Sequence, residues 1–194
     1  MEEKIEIVRA SLRESAKLKE ELAASASDVI AAIAVAVVET VRRDGKILLC
    51  GNGGSAADAQ HIAAELVVRL VRDRRAVAAV ALSTNSSVVT AVANDRGWEW
   101  VFLRQVEALG KPGDMLFGLS TSGRSENVIR AIAKAKEIGL ATVVFTGLGG
   151  EELARQADWS IVVPSRDPQR IQEAHVAVGH VICTLVEEEV ARWG

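Results

Sequence analysis

The sequence predicts an α/β fold: a three-layer αβα sandwich around a five-stranded parallel sheet of flavodoxin-like order 2-1-3-4-5, with two helices ahead of it. Three observations carry this. The short apolar runs after Gly45 are continuous rather than alternating, as strands covered on both faces are. Helical patterns separate those runs, so right-handed crossovers connect parallel strands. The chain has 194 residues, 49% of them hydrophobic, which suits one domain with a sizeable core. Residues 1–44 are read as helices for subunit association and residues 45–194 as the α/β core.

Taken in order, Glu2 to Leu22 is rich in Glu, Lys, Arg and Leu and reads as a surface helix. A second helix runs from Asp28 to Arg43 with Ser27 or Asp28 as its cap, and Ile30, Ile33, Val37 and Val41 mark its inner face. It is apolar nearly all round, from Val29 to Val38, so either a partner subunit covers its other face or it lies deep in the core. The strands are Lys46–Cys50, Ala76–Leu82, Asp114–Ser120, Ala141–Thr146 and Trp159–Val163. Between them lie helices at Ser55–Leu70, at Ser87–Leu109 with a break near Asn94-Asp95, at Ser125–Ile138, a short one after Gly150, and a last one from Pro168 to Arg192.

Composition removes whole classes of function. With 23 Lys and Arg against 26 Asp and Glu, the net charge is -3, so no general positive field exists for a nucleic acid or an anionic membrane. An anionic ligand must therefore be drawn in by local structure. Ala76 to Asn94 carries no formal charge, but Ser83-Thr-Asn-Ser-Ser87 breaks it with polar groups that hydrocarbon does not tolerate. Cys50 and Cys183 lack CxxC spacing and read as small buried hydrophobes in a reducing compartment. The charged start, Met1-Glu2-Glu3-Lys4, has no signal-peptide core, so a cytoplasmic location is expected.

Two loops carry the chemistry. Cys50-Gly-Asn-Gly-Gly-Ser55 follows the first strand and Leu119-Ser-Thr-Ser-Gly-Arg-Ser125 the third, each leading into a helix. Glycines let backbone N–H groups close on an anion, hydroxyls add donors, and each following helix presents its positive end. In a sheet of order 2-1-3-4-5 both loops open on the crevice between strands 1 and 3, so they can share one phosphate. Neither GxGxxG nor GxxxxGK[ST] occurs, so no nucleotide cofactor is expected. Beyond the first loop, His61 and Glu65 share a helix face, with Asp58 and Arg69 continuing the stripe. An imidazole and a carboxylate beside a phosphate pocket suit proton transfer on a phosphorylated sugar. On the last helix Gln172 and His180 can face one pocket two turns apart, while His175 either joins His61 or is a packing histidine. His61, Glu65, Gln172 and His180 make a non-contiguous metal set, and a pure acid/base role needs no metal.

These residues resemble the sugar isomerase (SIS) fold and, more narrowly, the phosphoheptose isomerase family. The likeness covers essentially the whole chain: Cys50 to Leu66 (CGNGGSAADAQHIAAEL), Ala91 to Gly97 (AVANDRG), Leu119 to Ile132 (LSTSGRSENVIRAI) and Arg170 to His180 (RIQEAHVAVGH). The resemblance implies conversion of sedoheptulose 7-phosphate to D-glycero-D-manno-heptose 7-phosphate, a precursor of nucleotide-linked heptose. It implies substrate contacts at Asn52, Gly53, Gly54, Asn94 and Asp95, and phosphate contacts at Ser55, Ser120, Thr121, Ser122 and Ser125. Arg69 and Gln172 join the substrate-binding set on their position. Catalysis falls to Glu65 and His180, and zinc, one ion per subunit, to His61, Glu65, Gln172 and His180. A homotetramer with active sites at subunit boundaries is implied too. Gln169 departs from the Asp that many relatives carry there. A related branch binds the replication initiator without catalysis and lacks the acid/base pair; this chain keeps Glu65 and His180, so the isomerase reading is preferred. Two further readings compete with it: an isomerase acting on a different sugar phosphate, and a sugar-phosphate sensor, for which the sequence shows no helix-turn-helix to act through.

Overall fold

The structure is a computed structural model in which residues 1–193 are described. In chain order it comprises α1 (Glu2–Arg42), β1 (Ile47–Gly51), α2 (Gly54–Val67), β2 (Ala79–Ala81), α3 (Ser86–Arg96), α4 (Val101–Leu109), β3 (Met115–Ser120), α5 (Glu126–Glu137), β4 (Ala141–Gly147), α6 (Glu151–Ala154), β5 (Trp159–Val163) and α7 (Pro168–Val190). The sheet is parallel throughout, with the expected order β2-β1-β3-β4-β5.

Alternation along each strand divides the core into two layers. Ile47, Leu49, Met115, Phe117 and Phe145 face α1, α2 and α7, while Leu48, Cys50, Leu116 and Val144 face α4, α5 and α6. This two-sided burial is why the strands read as unbroken apolar runs. Cys50 pairs with Gly118 and Gly51 with Leu119, so β1 and β3 end at one level and their following loops emerge side by side.

Three boundaries differ from expectation. The two N-terminal helices are one helix of 41 residues, α1. Neither Ser27 nor Asp28 caps a new helix, since both lie inside α1, and the hydroxyls of Ser25 and Ser27 donate to the carbonyls of Glu21 (2.8 Å) and Ala23 (2.6 Å) one turn back. Strand β2 is only three residues long, because it is an edge strand with β1 as its one neighbour. The third helix runs through Asn94 and Asp95 and breaks instead at Gly97, whose φ of 105° ends α3 before a 3₁₀ turn at Trp98–Trp100.

By length and composition α1 could cross a membrane. Its face of Ile30, Ile33, Ala34, Val37, Val38 and Val41 is nonetheless in the core, against α7. Ala31, Ala32 and Val35 on its other face are exposed, so α1 is not a deep core helix within this chain. Both cysteines are free and buried, and burial pushes each thiol up to about 12. His175 is fully buried beside Phe145, with its Nε2 3.4 Å from the carbonyl of Thr146. Burial lowers its pKa to about 4, so it is a neutral packing histidine.

Candidate active site

Three contacts show that α2 and α7 run side by side in the same direction. Gly54 lies against Gln172, Ile62 against Gly179, and His61 against His180. At the N-terminal end of this pair a Cβ on Gly54 would run into the Gln172 amide, so a larger residue there would push that side chain aside. Further along, the Nε2 atoms of His61 and His180 are 2.7 Å apart, with the rings at 71°. Glu65 Oε1 is 3.7 Å from His61 Nε2.

Two imidazole nitrogens and one carboxylate oxygen thus lie within 4.8 Å of one another. Without a shared cation, one of the two facing nitrogens must carry a hydrogen and the other accept it. The same donor set suits a divalent ion of the zinc class, which takes three protein ligands and leaves a position open. Gln172, expected from the sequence to join this group, instead rests its amide against Gly54, at the loop end of the helix pair.

The two Gly- and Ser-rich loops lie side by side at the ends of β1 and β3. The Ser120 hydroxyl donates to that of Ser125 (2.9 Å), Ser122 accepts from Arg124 N (3.3 Å), and Ser55 and Ser120 are buried. The loop is braced by Gly147 N, which donates to the carbonyl of Thr121 (3.0 Å). The first N–H groups of α2 and α5 have no helical partner and are available to an anion. Arg124 and Arg166 line a cavity of about 290 Å³ beside Thr121 and Ser122, and neither is in an ion pair among the described residues. The Ser- and Thr-rich loop after β3 therefore has two cations at its edge, which net charge alone conceals.

The remaining expected residues differ in setting. Asp58 is buried on α2, and desolvation pushes its carboxyl up to about 6, with His61 pulling the other way. Arg69 follows the end of α2 and is exposed, so the helical stripe does not reach it. Asn94 and Asp95 sit exposed on the last turn of α3, hydrogen-bonded to each other at 2.8 Å.

Two residues of this region were not legible in advance. Arg74, its side chain 1% exposed, donates from Nη2 to the carbonyl of Glu65 (2.7 Å) at the C-terminal end of α2. Glu187, two turns beyond His180, accepts from the backbone N–H groups of Leu70 (2.7 Å), Val71 (2.9 Å) and Arg72 (2.7 Å). In the sequence it belonged to the Glu187-Glu188-Glu189 run, which reads as a solvated face. Burial raises the pKa of its carboxyl, but these backbone donors outweigh it and hold the group below the usual carboxylate range. A depressed folded-state pKa contributes stability above the unfolded value and loses it on acidification. Glu187→Gln is therefore expected to lower Tm at pH 7 by the several degrees that about 1–3 kcal/mol represents. The gap from the unmodified chain should close as pH falls below about 4; a gap constant with pH in thermal melts would contradict the assignment.

The SIS domain family matches residues 12–147. The phosphoheptose isomerase of Aquifex aeolicus (strain VF5) is 50% identical over 187 residues, 96% of this chain and 97% of that protein. That of Roseiflexus sp. (strain RS-1) is 58% identical over 159 residues, 82% of this chain and 81% of that protein. The chain belongs to the phosphoheptose isomerase family. Solved members of the family share its fold: the enzyme from Neisseria gonorrhoeae superposes with a TM-score of 0.88 at 40% identity, covering 94% of this chain and 98% of that one. The enzyme from Francisella tularensis superposes with a TM-score of 0.91 at 32% identity, covering 95% and 98%. The family is one of isomerases, and in this chain Glu65, His61 and His180 form one cluster on the α2–α7 pair.

Proposed function

We propose that the chain converts sedoheptulose 7-phosphate to D-glycero-D-manno-heptose 7-phosphate through an enediol. The observation that carries this reading is the meeting of the Glu65 carboxylate with the His61 and His180 imidazoles, along a helix whose N-terminus adjoins the serine-lined loops. Ser55, Ser120, Thr121, Ser122 and Ser125 hold the phosphate, and Asn52, Gly53, Gly54, Arg69, Asn94, Asp95 and Gln172 contact the rest of the substrate. From Ser55 to His61 and Glu65 the helix rises about 9 and 15 Å. A seven-carbon chain spans that separation more readily than a five-carbon one.

One of Glu65 and His180 takes the proton from C1 of the ketose as the C2 carbonyl oxygen gains one. The enediol then loses its O1 proton while carbon 2 is protonated, which leaves the aldehyde at C1. Either group fits either role. His61, Glu65 and His180 would hold a zinc ion, while Gln172, the fourth donor of the family pattern, rests against Gly54 and would have to turn to reach it. When bound, the ion supplies a Lewis acid that stabilises charge on the carbonyl oxygen. Metal analysis after zinc loading should find one ion per chain, with His61→Ala weakening binding at least about tenfold; equal zinc affinity for the variant would contradict this ligand set.

A homotetramer in the cytoplasm completes the proposal. It is supported by the uncovered apolar faces of α1 (Val35, 63% exposed) and α7 (Val181, 48%), and by α3, which buries no residue. Light scattering that gives the mass of one 20.7 kDa chain would refute the assembly. The substrate assignment is tested by following sedoheptulose 7-phosphate, arabinose 5-phosphate and fructose 6-phosphate by NMR. Aldose formation from the heptulose alone is the expected result; turnover of another sugar, or of none, would overturn it.

A further inference from the structure

The two phosphate loops are joined by a contact between Asn52, which the proposed function places against the substrate, and Asn127, to which it gives no role. Asn52, in the loop after β1, and Asn127, in the first turn of α5, are 75 residues apart and face each other side chain to side chain. Asn52 Nδ2 donates to Asn127 Oδ1 and Asn127 Nδ2 donates to Asn52 Oδ1, both at 2.9 Å. Asn127 is 2% exposed, so its amide has no access to solvent that would replace a lost partner. Ser55 lies three residues after Asn52, and Ser125, which accepts from the Ser120 hydroxyl, lies two residues before Asn127. A reciprocal amide ring is stiffer than one hydrogen bond, because rotating either group breaks both contacts.

We propose that Asn127 is a positioning residue for phosphate binding. It sets the separation of the two loops through Asn52, so that the Ser55 hydroxyl and those of Ser120 and Ser125 converge on the same anion. This inference rests on the phosphate reading of the loops and is independent of which sugar is isomerised.

Calorimetric titration of the full chain with inorganic phosphate tests it without assuming a sugar. Asn127→Ser cannot reach Asn52, yet it keeps a side chain suited to a helix's first turn. It should weaken phosphate binding about tenfold, the effect of one to two lost hydrogen bonds. KM for the phosphosugar should rise by a similar factor while kcat stays within about threefold, because Glu65 lies about 15 Å along α2 from Ser55 and His180 is in the same cluster on α7. Since Asn127 acts through Asn52, the Asn52→Ser/Asn127→Ser double variant should bind phosphate no more weakly than Asn52→Ser alone.

A purely structural role predicts otherwise: a lower Tm, with unchanged phosphate affinity wherever the variant is folded. Affinity within about twofold of the unmodified chain, or losses that add in the double variant, would overturn the proposal. If Asn127→Ser does not fold, the same measurements on Asn127→Leu, which keeps most of the buried volume, decide it. Normal phosphate binding by a chain that turns over no heptulose phosphate would count against the proposed substrate and leave this inference standing.

Discussion

Glu65→Gln and His180→Gln are each expected to lower turnover of the heptulose phosphate by about 10² to 10⁴-fold, the range for removing a positioned general acid or base. Both substitutions approximately preserve size and polarity, so the packing of α2 on α7 should survive. Glu65 is partly shielded and 3.7 Å from His61, and His180 Nε2 faces His61 Nε2, so neither group can move its proton without the others sensing it. Phosphate affinity should be nearly unchanged, because the loops that hold the anion are at the other end of the helix pair. Steady-state kinetics, phosphate titration and metal content on the same samples separate the contributions. A fall in kcat with metal retained assigns the loss to proton transfer, and near-normal turnover in either variant would defeat the assignment.

The second large effect is expected from Gly123→Ala. Gly123 sits between Ser122 and Arg124 with φ at 64°, a conformation that costs a side chain about 1–2 kcal/mol. Space is the larger difficulty: a Cβ there would collide with Gly150 Cα and lie 3.1 Å from its carbonyl carbon. Gly150 belongs to the loop after β4, which is already tied to Thr121 through Gly147 N. One loop must move, and either movement displaces Ser120, Thr121 and Ser122. A total cost of about 2–4 kcal/mol would lower Tm by roughly 4–16 °C for a domain of this size. Phosphate affinity should fall at least about tenfold as the hydroxyls lose their convergence. A thermal melt within about 2 °C of the unmodified chain, together with normal phosphate binding, would show that the loop tolerates a side chain there.

Both predictions depend on features that the sequence shows unequally. Sheet order and the pairing of the two loops were legible because parallel strands buried on both faces must be apolar along their whole length, and because Gly- and Ser-rich turns follow two of them. His61, Glu65 and His180 were legible as residues on two helices, but only the parallel packing of α2 on α7 makes them one cluster. The Asn52–Asn127 pair was not, since a helix-opening Asn has local reasons to be there and its partner is 75 residues away. Nor was the single length of α1: Ser27 and Asp28 resemble a helix start until the Ser27 hydroxyl is seen to bond one turn back inside a continuous helix. Arg74 and Glu187 were obscured for a related reason, because charged runs look solvated until one member is found buried.

The most direct test of the central claim, that Glu65 and His180 move a carbon-bound proton between C1 and C2 of a seven-carbon ketose phosphate, is solvent isotope incorporation. Sedoheptulose 7-phosphate incubated with the enzyme in heavy water and followed by NMR should yield heptose 7-phosphate carrying deuterium at C2, and the Glu65→Gln and His180→Gln variants should lose incorporation and turnover together. Turnover and incorporation that persist at the normal rate in both variants would contradict it.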